Sequence, residues 1–268
     1  MAKLKPKLVA LLTDFGLKDS YVGSLKAAIL STQPRLTIVD VTHAIPPFNI
    51  SMASQVLLSS FVDYPKGTVF VCIVDPGVGT RRKIICAFCQ QRYFIGPDNG
   101  LLSLLIATDL RSIVRLVSNK NFNRTREPFP TFHGRDILGP IAARLAESSE
   151  VFNQLGPVVR HWVPAPSVRC VVRKKYVEGR ISYFDVFGNA ITNISKSIKP
   201  LRFWKHSAVF LSARRRIGTM SQTYGENQGK MIALFNSGQF LELAVPRAHA
   251  GKQCKLRLHQ KVWVKQVR

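Results

Sequence analysis

The chain has no uninterrupted apolar run near the roughly 18 residues that a membrane-spanning helix needs. The first apolar run, Leu8-Val9-Ala10-Leu11-Leu12, follows Lys3, Lys5 and Lys7. It is too short for a signal-peptide core, and no small-residue cleavage site follows it. Cysteine is scarce and odd in number, five in 268 residues, which excludes the disulfide framework of small secreted domains. These absences lead to the expectation of a cytoplasmic protein with free thiols and no membrane span.

Several familiar signatures are also missing. Gly77-Val78-Gly79-Thr80-Arg81-Arg82-Lys83 lacks the spacing of a phosphate-binding loop and precedes a strand. There is no G-x-S-x-G elbow and no H-E-x-x-H. Cys86 and Cys89 form a C-x-x-C, but no second pair accompanies them, and in a strand their side chains point to opposite faces. No metal site is therefore expected.

Acid is scarce as well. Asp plus Glu is 15 against 39 Lys plus Arg, a net charge of +24. Residues 1–160 hold 19 basic and 11 acidic residues, whereas residues 161–268 hold 20 and 4. The later part is shorter and carries twice the excess. Such a field draws polyanions, although no RNA-recognition signature or zinc-finger spacing is present. A solvated basic surface is the simpler reading.

Hydrophobic residues make up 46% of the chain, enough to bury a core. At roughly 150 residues per domain the length suits one large domain or two modest ones. Up to about residue 160, strands alternate with amphipathic helices. Strands are expected at Leu8–Thr13, Leu36–Thr42, Thr68–Val74, Lys83–Cys89, Gln91–Ile95 and Ser112–Val117. Helices are expected at Tyr21–Gln33, Ser51–Tyr64, Asn99–Ala107 and Asp136–Ser149. This alternation predicts a three-layer α/β domain over residues 1–160. His161-Trp162-Val163-Pro164-Ala165-Pro166 reads as a linker.

Beyond it the helical period fades. Val171–Val177, Gly179–Phe184, Ala190–Ile194, Ala208–Ser212, Met231–Phe235, Phe240–Val245 and Lys255–Val267 read as strands. They predict a smaller β-barrel domain over residues 166–268. The last stretch sets Leu256, Leu258, Val262 and Val264 against Lys255, Arg257, His259, Lys261 and Lys265, the alternation of a half-buried strand.

Because acids are few, their positions inform. Asp14 and Asp75 end strands, Asp98 opens a helix, Asp136 follows His133-Gly134-Arg135, and Asp185 precedes Phe187-Gly188-Asn189. Open α/β sheets place ligands at the carboxyl ends of their strands. Singly, each aspartate reads as a cap or turn former; together with the strand-end glycines they mark a site for a cation or for ribose hydroxyls. Among six histidines, His133 is the better candidate for chemistry, whereas His43 reads as structural.

Seven segments, in order along nearly the whole chain, resemble the S-adenosyl-L-methionine (SAM) hydroxide adenosyltransferase family. These are the adenosine-forming SAM hydrolases, relatives of the fluorinase and chlorinase. The segments are Thr13-Asp14-Phe15-Gly16, Tyr21-Val22-Gly23, Val39-Asp40-Val41-Thr42-His43, Asp75-Pro76-Gly77-Val78-Gly79-Thr80, Pro97-Asp98-Asn99-Gly100, Thr131-Phe132-His133-Gly134-Arg135-Asp136 and Phe187-Gly188-Asn189.

The resemblance implies an N-terminal α/β domain, a C-terminal β-barrel and a homotrimer with sites shared between subunits. It implies a catalytic set of Asp75, Arg82 and His133 that directs water or hydroxide to C5′ of SAM, giving adenosine and L-methionine. It further implies Asp14 on the ribose and Asp19, Asp185 and Ser237 near the methionine part. Phe48 would stack near the sugar or base, and Asn189 would meet adenine. SAM is the substrate, so no cofactor is expected. Two alternatives remain at this point: a halide-dependent adenosyl transferase, chlorinase-like, and a basic RNA-binding protein on the same scaffold. The second is suggested by Arg173-Lys174-Lys175 and Arg214-Arg215-Arg216. The fluorinase carries an extra first-domain loop that is not seen here.

Overall fold

A computed structural model describes residues 7–166, 170–212, 215–225 and 229–267. The chain divides into two compact units, with the boundary after Pro166. Arg214 lies outside the described residues.

The first unit runs β1 Leu8–Thr13, α1 Tyr21–Thr32, β2 Thr37–Thr42, α2 Ile50–Ser60, β3 Val69–Ile73, β4 Ile84–Cys89, β5 Arg92–Pro97, α3 Ser103–Ile106, β6 Ile113–Leu116, α4 Gly139–Glu147 and α5 Val151–Gln154. The sheet order is β2-β1-β3-β5-β4-β6, parallel from β2 through β5 and antiparallel around β4. Central strands covered on both faces must be apolar throughout, and every residue of β3 is buried. Their side chains alternate between two cores. Val9, Leu11, Val69 and Val71 pack with Leu25, Ile29 and the α4 residues Ile141 and Leu145. Ala10, Leu12, Phe70 and Cys72 pack with Ala53, Leu57 and Leu105. Two cores on opposite faces make three layers.

The helices obey local rules. Val22, Leu25 and Ile29 form the buried stripe of α1, which stops before Pro34. Asn49 Oδ1 accepts the Met52 N–H at 2.9 Å and caps α2. Because β2 and β3 flank β1 on opposite sides, the crossover direction reverses between β1 and β3. Their carboxyl ends, Asp14 and Asp75, share that crevice, and the Asp14 N–H donates to the Ile73 carbonyl at 3.3 Å. Cys86 and Cys89 face opposite cores.

Two elements differ from the sequence reading. The stretch 99–107 is helical only at α3, because Asn99 and Gly100 are used in a tight turn. The helix expected from Asp136 begins instead as a π-turn, Gly134–Leu138, which passes into α4 at Gly139-Pro140. The segment 161–166 is strapped onto the first unit. The Val163 N–H donates to Asp98 Oδ1 at 2.8 Å, and a Cβ on Gly100 would lie 2.5 Å from the Pro164 carbonyl.

The second unit holds β7 Val171–Val172, β8 Tyr176–Phe184, β9 Ala190–Ser195, α6 Leu201–Lys205, β10 Ser207–Phe210, β11 Arg216–Thr219, β12 Ile232–Phe235, β13 Phe240–Ala244, α7 Ala250–Gln253 and β14 Lys261–Gln266. The order β11-β10-β14-β8-β9-β13-β12 is antiparallel, with β7 added beside β8. A bridge between Met220 and Ala233 joins the two ends, so the barrel is nearly closed. Val177, Ile181, Leu241, Leu243, Val262 and Val264 fill it. A Cβ on Gly179 would stand 2.3 Å from Ile194 Cγ1, so the barrel wall requires glycine there.

Here too the sequence reading departs from the structure. Val171–Val177 is a hairpin whose turn is Arg173-Lys174-Lys175. Lys255–Val267 is a strand only from Lys261. Left-handed backbone at Lys255 (φ 53°) and His259 (φ 61°) breaks the alternation, and Leu258 is exposed. The short helices α6 and α7 are too brief to show a helical period in the sequence.

Candidate active site

Asp75 follows the end of β3, and its carbonyl accepts the Val78 N–H in the turn that comes next. That turn passes through Gly79, at φ 78°, where a Cβ would sit 2.7 Å from the Pro130 carbonyl. Only glycine fits both the conformation and the approach. The Thr80 hydroxyl donates to the Gly77 carbonyl at 2.7 Å and accepts the Arg82 N–H at 3.3 Å, which turns the chain back toward Asp75. Arg82 Nε then lies 3.0 and 2.8 Å from the two Asp75 carboxylate oxygens, with Nη2 2.5 Å from Oδ2. Both side chains are largely withdrawn from water, 6% exposed for Asp75 and 10% for Arg82.

His133 completes the array. Arg82 Nη2 lies 2.9 Å from His133 Nδ1. Guanidinium has donors and no acceptor, so Nδ1 must accept. This assigns the neutral tautomer with its proton on Nε2. Burial, and then the Arg82 charge, hold the His133 pKa below its ordinary value, against the pull of Asp75 and Asp136. Neutral His133 and anionic Asp75 are thus tied to one permanent cation.

His133 sits where the π-turn begins, a motif frequent at functional sites. A Cβ on Gly134 would lie 2.9 Å from Ile73 Cδ1, so glycine lets this turn approach the end of β3. Asp136 plays a different part. It is 2% exposed, and its oxygens accept Arg135 Nε at 2.7 Å, Arg135 Nη2 at 2.8 Å and the Phe129 N–H at 2.9 Å. The hydrogen bond from Arg135 above all holds its carboxyl below the usual range. Asp136 braces the 124–129 loop. Asp98 and Asn99 are likewise structural: Asp98 holds the Val163 strap, and Asn99 Nδ2 donates to the Val74 carbonyl at 2.8 Å, next to Asp75.

The structure brings Asp14 and Phe48 together. Asp14 Oδ2 accepts the Phe48 N–H at 2.9 Å. Phe48 holds a left-handed backbone (φ 65°) and is 68% exposed, a strained residue of the kind found at ligand sites. His43 is structural here: Nδ1 meets the Thr13 hydroxyl at 2.8 Å, and its carbonyl accepts the Gly16 N–H at 2.8 Å. Asp19 is exposed just before α1. Phe15, Tyr21 and Phe132 form an aromatic cluster with centroids 5.6–6.0 Å apart. Sequence reasoning gave this cluster no role, although Phe15, Tyr21 and Phe132 all lie within the quoted segments.

In the second unit, Asp185 Oδ1 accepts the Phe187 and Asn189 N–H groups at 3.0 and 2.8 Å. Asn189 Nδ2 donates to Asp185 Oδ2 at 3.0 Å. Asp185 thereby builds the turn that holds Asn189, and Phe187 is 74% exposed. Ser237 is exposed at the tip of the β12–β13 hairpin. Asn236 supports that hairpin, accepting the Phe240 N–H on Oδ1 at 3.1 Å. Glu242, buried on β13, accepts the Tyr224 hydroxyl at 2.8 Å. Burial pushes its carboxyl up, and the charge of Asp185 adds to the rise. The sequence shows Glu242 only as the end of Gly238-Gln239-Phe240-Leu241-Glu242.

The chain is similar to known proteins along most of its length. Residues 9–156 match the family model of the SAM hydroxide adenosyltransferase N-terminal domain, and residues 179–263 match that of the C-terminal domain. The chain is 33% identical over 255 residues to (R)-S-adenosyl-L-methionine hydrolase of Thermus thermophilus, covering 90% of this chain and 93% of that one. The hydrolase of the same name from Methanocaldococcus jannaschii is 29% identical over 257 residues, covering 91% and 90%. A crystal structure of an uncharacterized conserved protein from Thermotoga maritima superposes with a TM-score of 0.87 at 31% identity, covering 96% of this chain and all of that one.

Proposed function

The chain belongs to the SAM hydroxide adenosyltransferase family, and from that premise we propose that it hydrolyses S-adenosyl-L-methionine to adenosine and L-methionine. The observation that carries the reading is the array in which Arg82 donates to both Asp75 and His133.

SAM is a sulfonium, so its leaving group at C5′ departs as a neutral thioether and needs no acid. It needs a nucleophile held in line behind C5′. Such alignment supplies up to roughly 7–11 kcal/mol in well-oriented systems. Asp75 accepts the water proton on a carboxylate lone pair not taken by Arg82. The water oxygen bonds to C5′, the C5′–S bond breaks, and its electron pair stays on sulfur. His133, protonated on Nε2, donates toward the water oxygen and aims it. Arg82 positions both partners. His133 orients the water rather than relaying its proton, because its Nδ1 is already an acceptor for Arg82.

The same array separates water from halide. A carboxylate beside the nucleophile repels a halide anion and is useful only to a nucleophile with a proton to lose. Hydrolysis is therefore favoured over the chlorinase-like alternative.

For substrate, Asp14 offers the oxygen not held by the Phe48 N–H to the ribose, with Phe48 against the sugar or base. Asp19 and Asp185 place negative charge near the ammonium and sulfonium, offsetting a strongly basic protein. Asn189, oriented by Asp185, presents its carbonyl to adenine, and Ser237 meets the methionine part. A homotrimer is part of this proposal, with a neighbour's second-unit residues completing each site. So is a cytoplasmic location, which suits five free thiols. The relatives' names specify the (R) epimer at sulfur, and we extend that epimer to this chain.

The test incubates purified protein with each sulfonium epimer and follows adenosine and methionine. Equimolar release, faster from the (R) epimer, is expected. No adenosine from either epimer would remove the reading; equal rates would remove the epimer assignment alone.

A further inference from the structure

The second unit carries a surface that hydrolysis does not use. Among its described residues only three are acidic, and none offers negative charge to solvent unencumbered. Glu178 pairs with Lys261 at 2.7 Å and accepts Trp263 Nε1 at 3.0 Å. Asp185 accepts hydrogen bonds from its own loop and its charge is assigned to the SAM site, and Glu242 is buried. Lys261–Glu178 is the one ion pair among the described residues of this unit. The basic excess is left without internal compensation.

The excess is focused beside half-buried aromatic rings. Strand β14 alternates, with Val262 and Val264 inside the barrel and Trp263 and Lys265 outside. Register sets Lys265 beside Tyr176 and Trp263 beside Phe210. An open groove of about 420 Å³ lies there, lined by Lys175, Tyr176, Trp263, Lys265 and Gln266. The exposed Arg173-Lys174-Lys175 turn borders it, and Arg216 stands opposite Phe210 in register. Arg215, by contrast, is tied to the Cys254 carbonyl.

Cations that track phosphates, interleaved with rings that stack on bases, are the two components of single-strand recognition. We infer that the outer face of β14, β8 and β10 binds single-stranded nucleic acid, with phosphates on Lys175 and Lys265 and a base against Trp263. A duplex keeps its bases stacked and gives Trp263 nothing to hold. An anionic membrane would engage the lysines and gain little from a ring set within a groove.

The experiment measures anisotropy of a labelled 12-nucleotide uridine strand on the full-length protein across salt concentrations. Log affinity should fall with log salt at about 0.7 per phosphate engaged, and Lys175→Gln/Lys265→Gln should lower that slope by about 1.4. Trp263→Leu should weaken binding by about 5- to 100-fold, and Trp263→Phe should restore it. The lysine pair lies outside the catalytic array, so adenosine release should be unchanged in that variant; this also reports correct folding. Competition should be stronger from unlabelled strand than from heparin, a duplex of equal charge or phosphatidylserine vesicles. The inference is overturned if wild-type protein fails to bind at low salt, or if the lysine variant binds as wild type does. Equal competition by duplex or vesicles, with no effect of Trp263→Leu, would also overturn it.

Discussion

Replacing Asp75 with Asn removes the negative charge from the array while nearly keeping its shape. Arg82 donates to both carboxylate oxygens, at 3.0, 2.8 and 2.5 Å. An amide offers one acceptor oxygen and turns its NH2 toward the remaining donors, so part of this fork is lost. Loss of a positioned general base lowers rates by roughly 10²- to 10⁴-fold, about 3–5 kcal/mol in barrier. Arg82 also loses its counter-charge while only 10% exposed. That should cost about 1–3 kcal/mol of stability, each kcal/mol moving the melting temperature by about 2–4 °C. Adenosine release by chromatography gives kcat, and SAM titration gives affinity, which should change far less because the ribose and methionine contacts lie elsewhere. Thermal melting separates the two effects. A folded Asp75→Asn protein turning over within threefold of wild type would refute the general-base role and leave Asp75 a brace for its turn.

Three further outcomes follow from the same geometry. Arg82→Lys keeps the charge but cannot bridge Asp75 and His133 with a planar fork, so kcat should fall by about two orders of magnitude with KM nearly unchanged, measured by steady-state kinetics. His133 must be neutral to accept from Arg82, and its pKa is held below the ordinary value near 6.5. Activity should therefore stay level down to about pH 6.5 and decline only in more acid solution. The sign for stability agrees: the unfolded chain takes the proton first, so the His133 contribution is complete above its ordinary pKa and is lost as pH falls through the depressed one. A pH–rate profile with its acid limb above pH 6.5 would contradict this. Gly79→Ala forces a Cβ to within 2.7 Å of the Pro130 carbonyl at φ 78°. Melting temperature and kcat should fall together, because the turn carries Asp75 toward Arg82.

The edge that carries the candidate site was legible in the sequence because its strands are apolar on both faces and its aspartates stand where they end. Leu8–Thr13 and the run ending at Val74 point directly to Asp14 and Asp75. The family resemblance added Arg82, which spacing alone does not single out. What stayed hidden depends on tertiary pairing. Sequence alone does not say what Asp98, Asn99 and Asp136 do; their partners, Val163, Val74 and Arg135, make them braces. The π-turn before α4 has no periodic signal, since it differs from a helix by one hydrogen-bond step. The false strand at 255–260 arose because alternation counts side chains and is blind to left-handed backbone at Lys255 and His259. The sulfonium epimer leaves no mark that residue types could reveal, since both epimers present the same groups in different directions.

In the proposed reaction, water deprotonated at Asp75 attacks C5′ of SAM. Turnover in water enriched in oxygen-18, followed by mass spectrometry of the products, tests it most directly. One heavy oxygen is expected in adenosine, at the 5′-hydroxyl, and none in methionine. Unlabelled adenosine, label in the methionine part, or 5′-chloro-5′-deoxyadenosine as the main product in chloride buffer would contradict it.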